Sequence, residues 1–178
     1  FRMIVHPEMY DRPWSVHIMT ELRVFAAYIR LLILPLGLNI DHDIMESRSL
    51  DWSVLAAGAF LATVVGTAFL LRKKNKVLSF SLLWLLINLG PLMTLRLNDY
   101  MAERWVYAAS LGFALAVSET MVLLTKKDLR AAAAAGAVIL IMFGLLTVVR
   151  NGIYRDPVAL WSDAVRKSPA KLLPYTNL

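Results

Sequence analysis

The hydrophobic positions of this chain fall into four long blocks rather than into the short periodic segments of a soluble domain. The blocks cover about residues 52–71, 77–95, 105–124 and 131–149. Each is close to the roughly 20 apolar residues that a helix needs to cross the hydrocarbon core of a bilayer. A spanning segment must pair its backbone polar groups internally, which favours helices. The pattern predicts an all-α fold, a multi-pass transmembrane helical bundle.

The loops between the blocks predict their orientation. Residues 72–76 and 126–130 are strongly basic, whereas residues 39–51 are acidic and residues 96–104 are balanced. Because short loops rich in Lys and Arg stay in the cytoplasm, we expect the two basic loops there and the other two outside. The tail from Arg150 onward then also lies outside. We therefore expect an integral membrane protein whose C-terminus lies outside the cytoplasm.

A fifth apolar stretch, at about residues 20–36, carries two arginines. Arg23 and Arg30 are seven residues apart and so share one helical face. Such a helix either lies in the interface, with the guanidinium groups toward the lipid headgroups, or spans the membrane with Arg30 facing the bundle interior. We favour the first arrangement, an interfacial or re-entrant amphipathic helix. Pro35 and Gly37 are expected to end it.

The last segment, residues 150–178, is soluble in character. Asp156 and Pro157 form a typical helix start, as N-cap and first helical residue, and Ser168 and Pro169 end the predicted helix. An apolar stripe runs along it, made of Val158, Leu160, Trp161, Ala164 and Val165. A single helix of about three turns is unstable alone, so this helix needs a partner.

The composition adds limits on function. Of the 178 residues, 58% are hydrophobic and 18% are charged, below the roughly 25% charged residues of soluble domains. The net charge of +6 is explained by the basic loops, so the expected partners are membrane lipids and not nucleic acid. The absence of cysteine excludes disulfides and thiol nucleophiles. No signal peptide is readable after Phe1, and we expect further sequence upstream.

Charged residues at or within the membrane are the first candidates for chemistry. Arg30 either reaches the interface as a snorkelling side chain or binds a lipid phosphate. Asp41, His42 and Asp43 could hold a divalent cation or orient a sugar, or they form a hydrated acidic loop, since their spacing matches no specific metal motif. For Glu119, inside a span, a partner in the bundle or proximity to the cytoplasmic face is favoured over proton relay.

A second group of candidates lies in residues 98–107, at the outer end of a span. Asp99 and Glu103 are four residues apart and share a face if this segment is helical. The forked donors of Arg104 suit a phosphate, although a local ion pair between Glu103 and Arg104 explains both residues equally well. Trp105 and Tyr107 are also typical of an aromatic belt at the membrane surface.

Three groups of residues together resemble a known family. They are YIRLLILP (28–35) followed by LNIDHD (38–43), then AERWVY (102–107) followed by SLGF (110–113), and finally LWSDAV (160–165) with Ser168-Pro169 and YTNL (175–178). In this order they resemble bacterial tetratricopeptide-repeat membrane proteins, which are similar to the transmembrane tetratricopeptide O-mannosyltransferases with a type C glycosyltransferase fold. The third group looks like the entry into the helical repeat.

The resemblance implies a function. Such enzymes take a sugar from a polyprenyl-phosphate donor and transfer it to Ser or Thr of exported proteins on the outer side of the membrane, here the bacterial cytoplasmic membrane. Residues 1–149 would form the C-terminal part of the membrane module, and 150–178 the start of the repeat. The family's acidic catalytic loop has no counterpart here and is expected upstream of Phe1. Arg30, Glu103, Arg104 and Tyr107 are therefore donor-phosphate or structural candidates.

A non-enzymatic function is the alternative. The chain would then be a membrane anchor that displays a tetratricopeptide solenoid outside the membrane. A transporter is disfavoured, because the chain has few intramembrane charges and no evident inverted repeat.

Overall fold

The computed structural model describes residues 12–97, 99–126 and 128–178, so Asn98 and Lys127 of the predicted loops lie outside the described residues, as does Phe1. The described residues contain α-helices and short 3-10 turns and no strand. The α-helices are, in chain order, α1 (Trp14–Ile33), α2 (Trp52–Leu71), α3 (Lys76–Leu89), α4 (Val106–Leu124), α5 (Leu129–Tyr154), α6 (Pro157–Lys167) and α7 (Leu172–Thr176). The predicted all-α fold is confirmed.

Four helical segments are long and apolar enough to span a membrane. They are Trp52–Leu71, Lys76–Met93, Glu103–Leu124 and Leu129–Tyr154, in agreement with the four predicted blocks. The second continues past α3 as a 3-10 turn over Gly90–Met93. The fourth runs beyond the predicted end at residue 149, since Arg150 remains helical.

Three of the four spanning helices, α2, α3 and α5, begin at side-chain caps. Asp51 accepts a hydrogen bond from the backbone N–H of Val54 at 2.9 Å, and Asn75 accepts one from Leu78 at 2.9 Å. Asp128 caps α5 in the same way. These caps satisfy backbone donors that a helix start otherwise leaves unpaired. Asn75 and Asp128 lie in the two basic loops, which define the basic end of the bundle.

Helices α3 and α4 form the tightest pair in the bundle. Gly112 of α4 is buried, and a Cβ atom at this position would lie 2.6 Å from the backbone oxygen of Ser81 and 3.1 Å from the backbone nitrogen of Leu85. Only glycine permits so close an approach of two helix backbones. By contrast, α5 contacts α4 and α6 to a similar, small extent and leaves most of its side chains exposed, as expected of a helix that faces lipid.

Helix α1 begins at Trp14, earlier than the predicted start at residue 20, and ends at Ile33, before Pro35. Gly37 follows with a positive φ of 73°. Near the helix start, Nε2 of His17 lies 3.1 Å from the backbone oxygen of Met93. Near its other end, the Tyr28 hydroxyl accepts a hydrogen bond from Ala102 N at 2.9 Å.

Both contacts of α1 fall in the connection between α3 and α4, so both parts of the helix approach the same end of the bundle. This end carries residues 34–51, residues 90–105 and the tail, and we call it the polar end. Helix α1 is not among the four candidate spans. Its interfacial arrangement, expected from its two arginines, stays a prediction.

The tail returns to the polar end. Asp156 accepts a hydrogen bond from Val158 N at 3.0 Å, and Pro157 occupies the first turn of α6, as the sequence predicts. The helix ends at Lys167, just before Ser168. The partner that α6 needs is supplied by α5 and by the loop after α1.

Candidate functional site

The polar loop after α1 is held by residues that are distant in sequence. Nζ of Lys171, from the tail, lies 3.0 Å from Oδ1 of Asp41 and 3.1 Å from Oδ1 of Asp99. Burial acts to lower the pKa of Lys171, but the hydrogen bonds to Asp41 and Asp99 outweigh it and raise this pKa above its ordinary value. Lys171 therefore stays charged and neutralises a buried carboxylate.

Glu103 also contacts the loop after α1. Its Oε1 accepts a hydrogen bond from the backbone N–H of Asn39 at 2.5 Å and lies 3.1 Å from Nε2 of His42. The backbone N–H of Asp43 donates to the Ser168 hydroxyl at 3.1 Å, and the Asp43 side chain is exposed. Through these contacts Glu103 joins the loop after α1 to the connection between α3 and α4.

The candidate cation site of the sequence does not assemble. Asp41 is paired with Lys171 and His42 with Glu103, while Asp43 faces solvent, so the three side chains do not converge. Within residues 12–97, 99–126 and 128–178, no group of three or more His, Cys, Asp or Glu side chains is arranged to hold a metal ion.

The candidate residues of the second predicted group do not come together in one site either. Residues 99–102 are not helical, so Asp99 and Glu103 do not share a helical face. Glu103 pairs with His42 rather than with Arg104, whose Cζ lies 5.4 Å from the ring centroid of Trp105. Tyr107 is 86% exposed, as expected for an aromatic belt.

The two remaining charged candidates lie at different levels of the bundle. Arg30 is exposed near the C-terminal end of α1. Glu119 accepts a hydrogen bond from Nδ2 of Asn75 at 2.7 Å, and Asn75 caps α3 at the basic end. The partner expected for Glu119 is therefore present.

An apolar crevice opens between α1, α4 and α5. Its volume is about 540 Å³, within the range of small-molecule and lipid sites. The lining is almost entirely hydrophobic and includes Leu31, Leu32, Pro35, Leu38, Phe113, Val117, Met121, Ile139, Leu140, Phe143 and Leu146. Because α4 and α5 are candidate spans, the crevice lies at the depth of lipid chains.

Arg150 lies at the end of the crevice that is nearer the polar end. Nη1 of this arginine donates to Oδ2 of Asp163 at 2.7 Å, and the Tyr154 ring centroid lies 5.0 Å from its Cζ. Nε and Nη2 are buried, and by strict hydrogen-bond geometry neither has an acceptor among the described residues, although the Tyr154 side chain also interacts with this guanidinium. Buried donors without acceptors cost about 1–3 kcal/mol each. An anionic group in the crevice would satisfy them.

Asp163 gathers two further cations next to Arg150. Its carboxylate lies 2.8 Å from Nη2 of Arg166 and 2.6 Å from Nζ of Lys167. Lys167 also donates to the backbone oxygen of Leu38, which lines the crevice. We call these four charged residues the cationic cluster. Three cations around one carboxylate leave the cluster with a net charge of about +2.

The surroundings of Asp163 determine the protonation state of its carboxyl group. Burial acts to raise the pKa of this carboxyl, but hydrogen bonds from Lys167, Arg150 and Arg166 together outweigh burial and lower the pKa below its ordinary value. Asp163 is therefore ionised near neutral pH, and the excess positive charge of the cluster belongs to the three basic side chains.

A separate buried cluster surrounds the start of α1. His17 stacks on Tyr100, with 6.2 Å between the ring centroids, and the Tyr100 hydroxyl donates to Oε1 of Glu46 at 3.1 Å. Glu21, one turn beyond His17, is 4% exposed. Burial raises the pKa of Glu21 to about 8, while the charge of Arg12 acts to lower it. Glu21 is therefore protonated at neutral pH.

Sequence reasoning missed the role of Arg150 by treating it only as the first residue of the tail. The available signal was an arginine in the last turn of an apolar span, followed by Asp163 in an amphipathic helix. Comparisons with protein-family models, curated proteins and solved structures found no significant match for this chain. The four spanning helices identify it as an integral membrane protein.

Proposed function

We propose that this chain is the donor-lipid portion of a membrane glycosyltransferase that uses a polyprenyl-phosphate sugar. The observation that carries the proposal is the apolar crevice with Arg150 at its polar end. A polyprenyl chain suits a hydrophobic cleft that lies at the depth of lipid chains. A phosphate suits buried guanidinium donors, because arginine recognises phosphate through parallel charge-assisted hydrogen bonds.

The orientation follows from the loops. The basic end lies in the cytoplasm, and the polar end faces the outer side of the bacterial cytoplasmic membrane. The donor phosphate then sits near the outer surface, where exported proteins offer Ser and Thr hydroxyls as acceptors. Arg30 and Arg104, both exposed, contact lipid headgroups at this level.

The chemistry assigned to Arg150 is stabilisation of the leaving group. The acceptor oxygen attacks the anomeric carbon, the bond from that carbon to the phosphate oxygen breaks, and the phosphate gains negative charge. Hydrogen-bond donors of Arg150 that are already in position stabilise the negative charge on the phosphate as it develops. The hydroxyl proton goes to a carboxylate base, which the family resemblance places in a loop preceding Phe1. Glu103 keeps its structural contacts and is not that base.

A second candidate function is a membrane anchor for a tetratricopeptide solenoid. The observation in its favour is the attachment of α6 to the bundle by the Arg150–Asp163 pair, continued in the tail by Lys171. An anchor needs this rigid exit of the tail but makes no use of the crevice. Binding of a lipid phosphate in the crevice therefore discriminates between the two functions.

Sugar transfer in membranes tests the proposal. The gene product that contains this sequence is expressed, and transfer from a labelled polyprenyl-phosphate sugar to an exported Ser/Thr-rich acceptor is measured. Val117→Trp fills the crevice, whereas Ile141→Trp introduces the same indole ring on α5 at a side chain that is 64% exposed.

We expect Val117→Trp to reduce transfer at least tenfold, with the control near wild type. Transfer that is undetectable in the wild type, or insensitive to crevice filling in a folded variant, contradicts the proposal. The first of these results together with an intact tail would favour the anchor.

A further inference from the structure

The tail helix α6 contributes charge to the mouth of the crevice. Arg166 and Lys167 both come from α6, and both contact Asp163, which in turn contacts Arg150 of α5. Lys167 also reaches the backbone of Leu38 on the opposite wall. Arg150 and Leu38 line the crevice, and α6 contacts both of them through Asp163 and Lys167 without lining the crevice itself.

The charge balance of this junction is incomplete. Docking of α6 brings two cations next to Arg150 and only one carboxylate, a net charge of about +2; the side chains of Arg166 and Lys167 are 78% and 29% exposed. Arg150 and Asp163 have side chains only 11% and 5% exposed, so water screens them poorly. A further anion beside Arg150 would remove this excess.

We propose that Arg166 and Lys167 complete a phosphate subsite with Arg150, so that binding of a lipid phosphate in the crevice and docking of α6 strengthen each other. The inference rests on the proposed function and extends it to the tail. Linkage requires the coupling to be reciprocal: if the phosphate raises the docking constant by some factor, docking raises the affinity for the phosphate by the same factor.

The subsite recognises a phosphate group, and a lipid phosphate and free inorganic phosphate both offer that group. A polyprenyl monophosphate places the phosphate at the mouth and fills the crevice with its chain. Inorganic phosphate lacks the chain, and an uncharged polyprenol lacks the phosphate. Only the first is expected to act at low concentration, because only the first uses both the apolar lining and the cationic cluster.

Docking of α6 can be measured as a distance. The chain has no cysteine, so Met45→Cys and Ser162→Cys, both at exposed positions, accept two spin labels without further changes. Double electron–electron resonance in detergent micelles or nanodiscs then reports the docked and undocked populations. Native mass spectrometry of the same protein reports lipid binding separately.

The expected result is an increase of the docked-to-undocked ratio by about tenfold on adding polyprenyl monophosphate, within the usual range of coupled sites. Polyprenol, and inorganic phosphate at equal concentration, leave the ratio unchanged. An equal effect of inorganic phosphate, or release of α6 by the lipid phosphate through competition with Asp163, overturns the inference.

Two variants locate the coupling. Arg166→Gln combined with Lys167→Gln removes the excess charge and should abolish the lipid-dependent change in docking. Lys171→Gln removes a different tail contact, to Asp41 and Asp99, and should weaken docking while keeping the response to lipid.

The coupling is refuted if lipid binds the wild type without changing docking of α6. It is equally refuted if the double variant responds to lipid as the wild type does. In both cases the proposed function still stands. Absence of any lipid binding in the wild type instead contradicts the proposed function, on which the coupling depends.

Discussion

The Ser168 hydroxyl, just after α6, accepts a 2.7 Å hydrogen bond from Nδ2 of Asn39, a residue 129 positions earlier in the chain. The same hydroxyl donates to the backbone oxygen of Asp41 at 2.6 Å and accepts from the backbone N–H of Asp43 at 3.1 Å. Ser168 is fully buried. A single hydroxyl therefore satisfies three polar groups of the loop and fixes the tail to the polar end.

Removal of this hydroxyl is expected to loosen the tail. Ser168→Ala leaves the backbone N–H of Asp43 without its hydrogen-bond partner and removes one partner each from the Asn39 amide and the Asp41 carbonyl, which remain bonded to each other, at a cost of about 1–3 kcal/mol. Hydrogen exchange of the α6 amides should accelerate correspondingly. Ser162→Ala, which removes an exposed hydroxyl from the same helix, serves as the control. Equal exchange rates in the two variants would show that Ser168 does not fasten the tail.

The close contact between α3 and α4 predicts that position 112 requires glycine. Gly112→Ala places a Cβ atom 2.6 Å from the backbone oxygen of Ser81, so the two helices must separate. Overpacking of this kind costs about 1–3 kcal/mol, and the midpoint of thermal unfolding in detergent should fall.

Gly144→Ala is the matched control, since a Cβ atom there meets nothing within 4 Å. This variant should unfold at or above the wild-type temperature. A Gly112→Ala protein as stable as the Gly144→Ala protein would refute the close approach of α3 and α4.

Glu21 predicts a pH dependence of stability. Its pKa is about 8 in the folded protein and 4.5 in the absence of perturbation. Between these values the folded protein holds a proton that the unfolded chain has released, so the contribution of Glu21 to stability falls as pH rises. The loss is complete above about pH 8 and amounts, as an order of magnitude, to several kcal/mol.

The test compares the wild type with Glu21→Gln, whose side chain stays neutral at every pH. The difference in unfolding free energy should be small at the lowest pH and grow in favour of the variant toward pH 8. Taking the difference removes the contribution of His17, whose pKa is lowered by burial and which both proteins share. A difference that does not change with pH would show that Glu21 is ionised in the folded protein.

The spans could be predicted because the bilayer itself dictates their length. The block 52–71 coincides with α2, and Asp156 with Pro157 marks the start of α6, since capping is a local property. The start of α1 was missed because His17 interrupts the apolar pattern before residue 20, and Glu21 follows at the predicted start. Both are buried, a property that depends on segments distant in sequence.

The candidate site was only partly predictable for the same reason. Asp41, His42 and Asp99 were recognised as polar residues near the membrane, but their partners Lys171 and Glu103 come from other segments. An acidic loop looks like a metal site until the basic residue that neutralises it is known. Spacing along the chain carries no information about such contacts.

Binding of a polyprenyl monophosphate to the crevice tests the central claim most directly. Affinities of the wild type, Arg150→Gln and the basic-end control Arg130→Gln are measured in nanodiscs for the phosphate and for the uncharged polyprenol. Loss of charge-assisted hydrogen bonds worth about 1.5–3 kcal/mol should weaken phosphate binding by Arg150→Gln roughly 10- to 100-fold. The control should match the wild type, and polyprenol should bind all three proteins weakly and alike. Equal affinity of the wild type for phosphate and alcohol, or unchanged phosphate affinity in Arg150→Gln, would contradict the account.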